Sequence, residues 1–171
     1  GLSRNMLVSE RTDPNSCNHK PYRNFFYRFA KVLVCQTKEA AESFPGYLKK
    51  KTVVIPNPVD SKGLPEVCRG EREKKVVSVG RLEYPKNQEL LVEAFEEFYK
   101  KFPEYKLHFY GKGSKEKILR EMAAAKHLED AVVFHGFCAD AAVQIADSAM
   151  FILSSDYEGV SNSMAEAMAM G

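Results

Sequence analysis

The chain lacks most of what marks a nucleic-acid binder, a membrane span or a disulfide scaffold. Its formal net charge is only +2 over 171 residues, which offers nucleic acid no electrostatic footprint. No apolar run approaches the roughly 20 residues of a spanning helix, and no signal-peptide pattern opens the sequence. The four cysteines, Cys17, Cys35, Cys68 and Cys138, follow no metal-ligand spacing and suggest no disulfide framework. Cys35 and Cys138 sit in or beside apolar runs and read as small core residues. The histidines are scattered, and His108 and His135 lie within strand-like runs, where packing is a simpler role than catalysis. These absences place the chain by default in a reducing, cytoplasmic setting. What remains is ordinary globular composition, 44% hydrophobic and 28% charged, in a length sufficient for one good core or parts of two.

Within that composition, strands alternate with helices. In residues 1–58, strands are expected at Met6–Ser9, Val32–Gln36 and Thr52–Ile55. Tyr22–Lys31 carries Tyr22, Phe25, Phe26 and Phe29 at helical spacing. Thr37 is placed to cap a helix that runs through Phe44 and ends at Pro45-Gly46. Residues 59–73 read as a linker, with Glu71–Lys75 as a solvated charge run. From 74 to 171 the pattern is regular. Strands are expected at Val76–Val79, Lys106–Tyr110, Ala131–His135 and Ala149–Ser154, with helices capped by Asn87, Ser114 and Asp140 and a last helix from about Ser161–Ser163. Such alternation means right-handed βαβ units on parallel sheets, with ligands at the carboxyl ends of the strands. Gly1 is not an initiator methionine and the last helix stops at Gly171. The expectation is therefore an α/β chain of two parallel-sheet, Rossmann-like units, both domains incomplete.

The chemistry concentrates in the loops after the later strands. Glu158 and Glu166, with seven residues between them, bracket Gly159-Val160-Ser161-Asn162-Ser163-Met164-Ala165, where a strand hands over to a helix. A helix start offers unpaired N–H groups and a positive dipole end, a ready phosphate site. The flanking carboxylates can accept hydrogen bonds from sugar hydroxyls. The same residues admit a structural reading, because Ser163-x-x-Glu166 also has the form of a capping box. Gly80-Arg81-Leu82-Glu83-Tyr84-Pro85-Lys86 follows an earlier strand. Its Arg81 fork and Lys86 point charge suit a diphosphate, unless Arg81 merely pairs with Glu83 and Lys86 reaches into solvent. Gly111-Lys112-Gly113 lets backbone approach a ligand closely, or simply makes a tight turn. Phe137, next to Cys138, could flank a base or pack in the core.

The stretches SVGRLEYPKNQELLVEAF, HFYGKGSKEKIL, VVFHGF, ILSSDYEGVSNSMAEAMAMG and VVIPNPVD, with MLVSERTDPNS and VCQTKEA before them, give the chain a family likeness. It resembles a GT-B glycosyltransferase of the large retaining family 4 type (glycosyl transferases group 1), particularly the bacterial polysaccharide-biosynthesis enzymes. The resemblance implies a later part of an N-terminal, acceptor-side domain in 1–58, a linker in 59–73 and a nucleotide-sugar-binding domain in 74–171. It implies transfer of a sugar from a nucleotide-diphosphate sugar to a glycan or lipid-linked acceptor, with retention. It needs no cofactor beyond the donor substrate and no metal, in keeping with the lack of an Asp-x-Asp pair. Arg81 and Lys86 would hold the diphosphate, and Glu158 the sugar hydroxyls, as a positioning group rather than a nucleophile. Gly159, Val160 and Ser161 would offer N–H groups, with Asn162 and Ser163 near the phosphates. Glu166 would bind the ribose, Phe137 and Cys138 would border the base, and Gly80, Gly111 and Gly113 would let the backbone come close.

Rival readings of the same residues are a nucleotide-sugar-binding module without turnover and a GT-B sugar-nucleotide epimerase. A membrane-surface adaptor is a third, because Tyr22–Lys31 interleaves aromatics with Arg23, Arg28 and Lys31. A core-facing helix with a basic outer side is the simpler account of that stretch. Peripheral contact with the inner face of the membrane would follow from the adaptor pattern.

Overall fold

The computed structural model describes residues 5–171 and divides into two compact units. The first runs to Pro58 and takes in Tyr157–Asn162; the second comprises Val59–Asp156 and Ser163–Gly171. Among the described residues no helix is long and apolar enough to cross a membrane.

The first unit is a three-stranded parallel sheet in the order β1 (Leu7–Glu10), β2 (Val32–Cys35), β3 (Thr52–Val54). Helix α1 (Lys20–Tyr27) connects β1 to β2, and α2 (Lys38–Glu42) with α3 (Gly46–Lys49) connects β2 to β3. Its core is small: Leu33 and Cys35 of β2 meet Phe44 and Leu48, with Val8, Tyr27 and Ala40 around them. Burial pushes the Cys35 thiol pKa up, as suits a packed cysteine. Thr37 caps α2 as expected, accepting from Ala40 N–H at 3.0 Å. That helix ends at Glu42, short of the expected Phe44, and a second helix opens at Pro45-Gly46. Pro45 is the N-cap of α3, because its fixed φ of −64° suits the residue that enters a helix.

In α1 the expected orientation is reversed. Tyr27 and Arg23 face inward: the Arg23 guanidinium lies 4.7 Å from the Phe44 ring centroid and donates to Pro14 O at 2.8 Å. The aromatic stripe faces out. The helix is fixed by Lys51, whose ammonium donates to the carbonyls of Tyr27, Arg28 and Ala30 at 2.7–2.9 Å and satisfies the acceptors left at a helix C-terminus.

The second unit is a four-stranded parallel sheet in the order β6-β5-β4-β7. Its strands are β4 (Glu73–Val79), β5 (Lys106–Tyr110), β6 (Val132–Gly136) and β7 (Ser148–Phe151). Alternation along each strand sorts the side chains by face. Val76, Leu107, Phe109 and Val132 pack against α4 (Gln88–Tyr99) and α5 (Glu116–Ala125) through Leu91, Val92, Phe95 and Leu119. Val77 and Tyr110 point the other way, to Ile145 of α6 (Ala141–Ile145) and to Ala167 of α7 (Asn162–Ala169). The strand β4 begins three residues before the expected Val76. The run Glu73-Lys74-Lys75 is extended, with Glu73 N–H donating to Asp147 O at 2.8 Å and Lys75 Nζ 2.5 Å from Glu73 Oε2. Charged side chains at a strand end reach solvent, so the strand carries no apolar signal there.

Asn87 and Asp140 stand at the N-cap positions expected of them but make no side-chain capping bond, and Ser114 is not a cap. Asn87 is left-handed (φ 48°), and Ser114 precedes Lys115, the N-cap of α5.

His108 is buried, as expected, but His135 is exposed, although its Nε2 lies 2.8 Å from His108 Nδ1 and its ring stacks 4.3 Å from Tyr110. Burial, with His135 and Lys75 as positive neighbours, pushes the His108 pKa down to about 4. Its folded pKa lies below the unfolded value near 6.5, so as pH falls the unfolded chain takes up the proton first. The stabilisation is full above that value and is lost as pH falls toward 4, to a maximum of about 3 kcal/mol. Denaturant unfolding at neutral and acid pH is expected to show this loss, and His108→Leu to flatten it. An equal pH slope in both proteins would contradict the assignment.

Candidate functional site

In the second unit, three loops leave the carboxyl edge of the sheet and are laced by backbone. Gly80 N–H donates to Tyr110 O at 2.9 Å, and Gly111 N–H to Gly136 O at 2.8 Å, so pairing continues past the strand ends. Gly111 has φ of 152°, and a Cβ there would overlap the Gly80 carbonyl. This approach brings Gly80, Arg81, Gly111, Phe137 and Cys138 around one cavity of about 260 Å³, with Tyr110 and Lys112. Phe137 is 74% exposed, so its ring is not core packing. Gly113 does not line this cavity. A Cβ there would overlap the Leu82 carbonyl, which also accepts from Lys115 N–H at 3.0 Å.

Arg81 is 77% exposed and 3.6 Å from Glu83 Oε2, an ion pair weak enough to yield to an anion. Lys86 does not extend into solvent. Its side chain folds over Gly80, with Nζ 3.7 Å from where a Gly80 Cβ would stand. The backbone beneath it is held by the loop after β7: Ser154 Oγ donates to Lys86 O at 3.0 Å and Asp156 N–H to Pro85 O at 2.9 Å. Asn87 serves this latch, donating to Asp156 Oδ1 at 2.7 Å, which explains why its side chain makes no capping bond to α4. Ser163 lies inside α7 rather than before it, and its hydroxyl donates to Val79 O at 3.2 Å. The capping-box reading of Ser163 and Glu166 therefore fails. Ser163 instead ties α7 to the end of β4, and Glu166, one helical turn on, is half-buried.

The remaining candidates lie in the first unit. Glu158 and Gly159 line a cavity of about 210 Å³ with Glu10, Asp13, Gln36 and Thr37. A Cβ on Gly159 would overlap the Arg11 carbonyl. The loop is held by a relay of amides. Val160 N–H donates to Gln36 Oε1 at 3.2 Å, Gln36 Nε2 to Asn57 Oδ1 at 2.5 Å, and Asn57 Nδ2 to Asn162 Oδ1 at 2.7 Å. Ser161 is buried. Glu10 is buried too, accepting from Thr12 Oγ1 at 2.9 Å and from Tyr27 Oη at 3.1 Å. Burial, and then Glu10, push the Tyr27 pKa up to about 12.

Glu10, Gln36, Asn57 and Lys112 are absent from the sequence-derived set. Glu10 and Gln36 end or follow parallel strands, which is the signal that could have found them. Among the described residues no three His, Cys, Asp or Glu side chains converge as a metal site requires. The second unit thus offers cations and close-packed backbone to an anion, and the first offers carboxylates and amides to hydroxyl groups.

Known proteins resemble this chain in sequence and fold. An uncharacterised glycosyltransferase of Methanocaldococcus jannaschii is 28% identical over 159 residues, covering 85% of this chain and 39% of the relative. The GtfA subunit of a Streptococcus pneumoniae UDP-N-acetylglucosamine–peptide N-acetylglucosaminyltransferase is 26% identical over 137 residues, 80% of this chain and 27% of its own. The crystal structure of pneumococcal GtfA with UDP and GlcNAc superposes with a TM-score of 0.83 at 22% identity, covering 97% of this chain and 36% of that one. Anabaena HepE with UDP-glucose gives 0.82 at 20% identity, covering 97% and 51%. The chain therefore spans between about a quarter and a half of the length of these relatives, and the α/β parallel-sheet fold is that of GT-B glycosyltransferases. The model of the glycosyl transferases group 1 family matches residues 65–171, and the chain belongs to that family.

Proposed function

We propose that the chain carries the nucleotide-sugar site of a retaining, family 4 type glycosyltransferase that moves a sugar from a nucleoside-diphosphate donor to a glycan or lipid-linked acceptor. The observation that carries this reading is the cavity of Arg81, Gly111 and Phe137 at the carboxyl edge of a parallel sheet, with Lys86 folded beside it. Residues 74–171 form the donor domain, 1–58 belong to the acceptor side and 59–73 link them. The base stacks on Phe137 beside Cys138, Glu166 accepts from the ribose hydroxyls, and Glu158 accepts from the sugar. UDP is the favoured nucleotide, because GtfA and HepE are seen with it.

In the reaction the bond from the anomeric carbon to the diphosphate oxygen breaks, the acceptor hydroxyl oxygen bonds to that carbon, and the hydroxyl proton passes to the departing diphosphate. Negative charge gathers on the diphosphate as it leaves. Arg81, Lys86 and the N-terminus of α7 stabilise it, a role that a divalent ion fills elsewhere. Glu158 holds the sugar in position, which is itself a large rate factor. Retention is part of the family likeness, and a Staphylococcus aureus relative is named for α-N-acetylglucosaminyl transfer.

The test is transfer from an α-linked UDP-sugar in the presence of EDTA, with the anomeric proton of the product read by NMR. An α product formed at an undiminished rate is expected. A β product would overturn retention, and loss of rate on chelation would overturn the cation-only mechanism. Conversion of the UDP-sugar without an acceptor would identify an epimerase.

A further inference from the structure

We propose that Gln88 is a positioning residue for Arg81, acting on the Arg81 carbonyl from the first turn of α4; this rests on the donor-site reading above. Gln88 opens α4 and is only 3% exposed. Side chains on a helix lean toward its N-terminus, so a residue at the first position reaches back over the loop before it. Gln88 does so, and its Nε2 donates to Arg81 O at 2.8 Å. The same amide leaves Oε1 buried with no hydrogen-bond partner among the described residues. A buried acceptor without a partner costs free energy that an apolar side chain of similar size avoids. Packing alone therefore does not account for glutamine here, beside Leu91, Val92 and Phe95 of the same helix.

The bond completes a set that holds the Arg81 backbone from two sides. Gly80 N–H donates to Tyr110 O at 2.9 Å and Leu82 N–H to Lys112 O at 3.0 Å, so the end of β5 and the loop after it hold both neighbours of Arg81. Leu82 is 1% exposed, and its carbonyl accepts from Lys115 N–H at 3.0 Å. Lys115 Nζ in turn donates to Glu89 Oε1, next to Gln88, at 2.5 Å. Between these anchors stands the Arg81 carbonyl, and Gln88 takes it from the helix side. What remains open to solvent is the guanidinium, on a side chain 77% exposed. A cation that meets a diphosphate gains from a peptide plane already set, because ordering it on binding would cost affinity and rate. Gln88 does not line the cavity, so it acts on a ligand only through Arg81.

The test is a double-substitution cycle, read by calorimetric titration of UDP into the parent, Gln88→Met, Arg81→Ala and the protein that carries both. Methionine keeps the volume and removes both the donor and the unpartnered oxygen, so thermal unfolding should stay near the parent's. Arg81→Ala is expected to weaken UDP binding roughly tenfold, and Gln88→Met roughly three- to fivefold. With both, binding should match Arg81→Ala alone within about twofold, because Gln88 then has nothing to position. A purely structural role would give losses that multiply. No binding by the parent, or parent-like binding by a folded Arg81→Ala protein, would defeat the donor-site reading itself. With Arg81→Ala weakened, parent-like binding by Gln88→Met, or a further loss in the doubly substituted protein, would overturn the positioning role alone. Gln88→Leu replaces Gln88→Met if that variant has lost its fold. Loss of fold in both would also overturn the proposal, since Gln88 would then hold the unit rather than Arg81.

Discussion

Replacing Arg81 by alanine is expected to slow sugar transfer by roughly two to three orders of magnitude, the usual cost of removing one preorganised stabiliser of developing negative charge. The fold should survive. Arg81 is 77% exposed and its partner Glu83 stands 3.6 Å away, so the lost ion pair contributes little to stability. Arg81→Lys should recover only part of the rate, because an ammonium cannot grip two phosphate oxygens in the planar way a guanidinium does. The loss should fall mainly on kcat, since the leaving diphosphate carries more charge in the transition state than in the bound donor. Steady-state kinetics with donor varied, beside thermal unfolding of the same variants, check this. A rate within a few-fold of the parent in a folded Arg81→Ala protein would remove Arg81 from the diphosphate.

Gly111→Val is expected to destabilise the second unit by at least about 3 kcal/mol, through steric overlap and backbone strain rather than loss of packing. Its Cβ would overlap the Gly80 carbonyl, so the loops after β4 and β5 would have to separate. Separation breaks the bond from Gly80 N–H to Tyr110 O. The φ of 152° at Gly111 adds strain for a β-branched residue. Gly46→Ala is the control, because an added methyl there meets nothing within 4 Å and should leave stability nearly unchanged. Thermal unfolding of the two variants makes the comparison; equal midpoints would contradict the close approach. Nucleotide binding should weaken together with folding in Gly111→Val, since the same contact builds the cavity.

The alternation of strand and helix was legible because buried parallel strands are nearly continuous apolar runs. Lys106–Tyr110 has the same limits in sequence and structure for this reason. Where charge replaced apolar residues, the pattern failed: Glu73-Lys74-Lys75 looks like a solvated run and is the start of β4. Caps were over-read at Asn87 and Ser114, because an Asn or Ser before a helix can equally serve a loop, and Asn87 bonds Asp156 instead. The period of α1 was visible but its direction was not. Aromatic spacing says that rings share a face; only Arg23 on Phe44 and Lys51 on the helix end say that this face is outward. In the site, the glycines and cations of the second unit stand at strand ends, where topology alone puts ligands. Glu10 and Gln36 lie within two of the family-like stretches, MLVSERTDPNS and VCQTKEA, but no spacing singles them out, and their role emerges only when β1, β2 and the Glu158 loop meet.

The most direct measurement is calorimetric titration of UDP into the chain, and into Glu166→Ala and Glu166→Gln proteins that unfold at the parent's temperature. Saturable binding to the parent is expected. Weakening by roughly tenfold in Glu166→Ala, with Gln intermediate because its amide oxygen can still accept from a ribose hydroxyl, would place the nucleotide where proposed. Binding of equal strength in all three proteins would put the ribose elsewhere. No saturable binding by the folded parent would contradict a nucleotide-sugar site built from these residues.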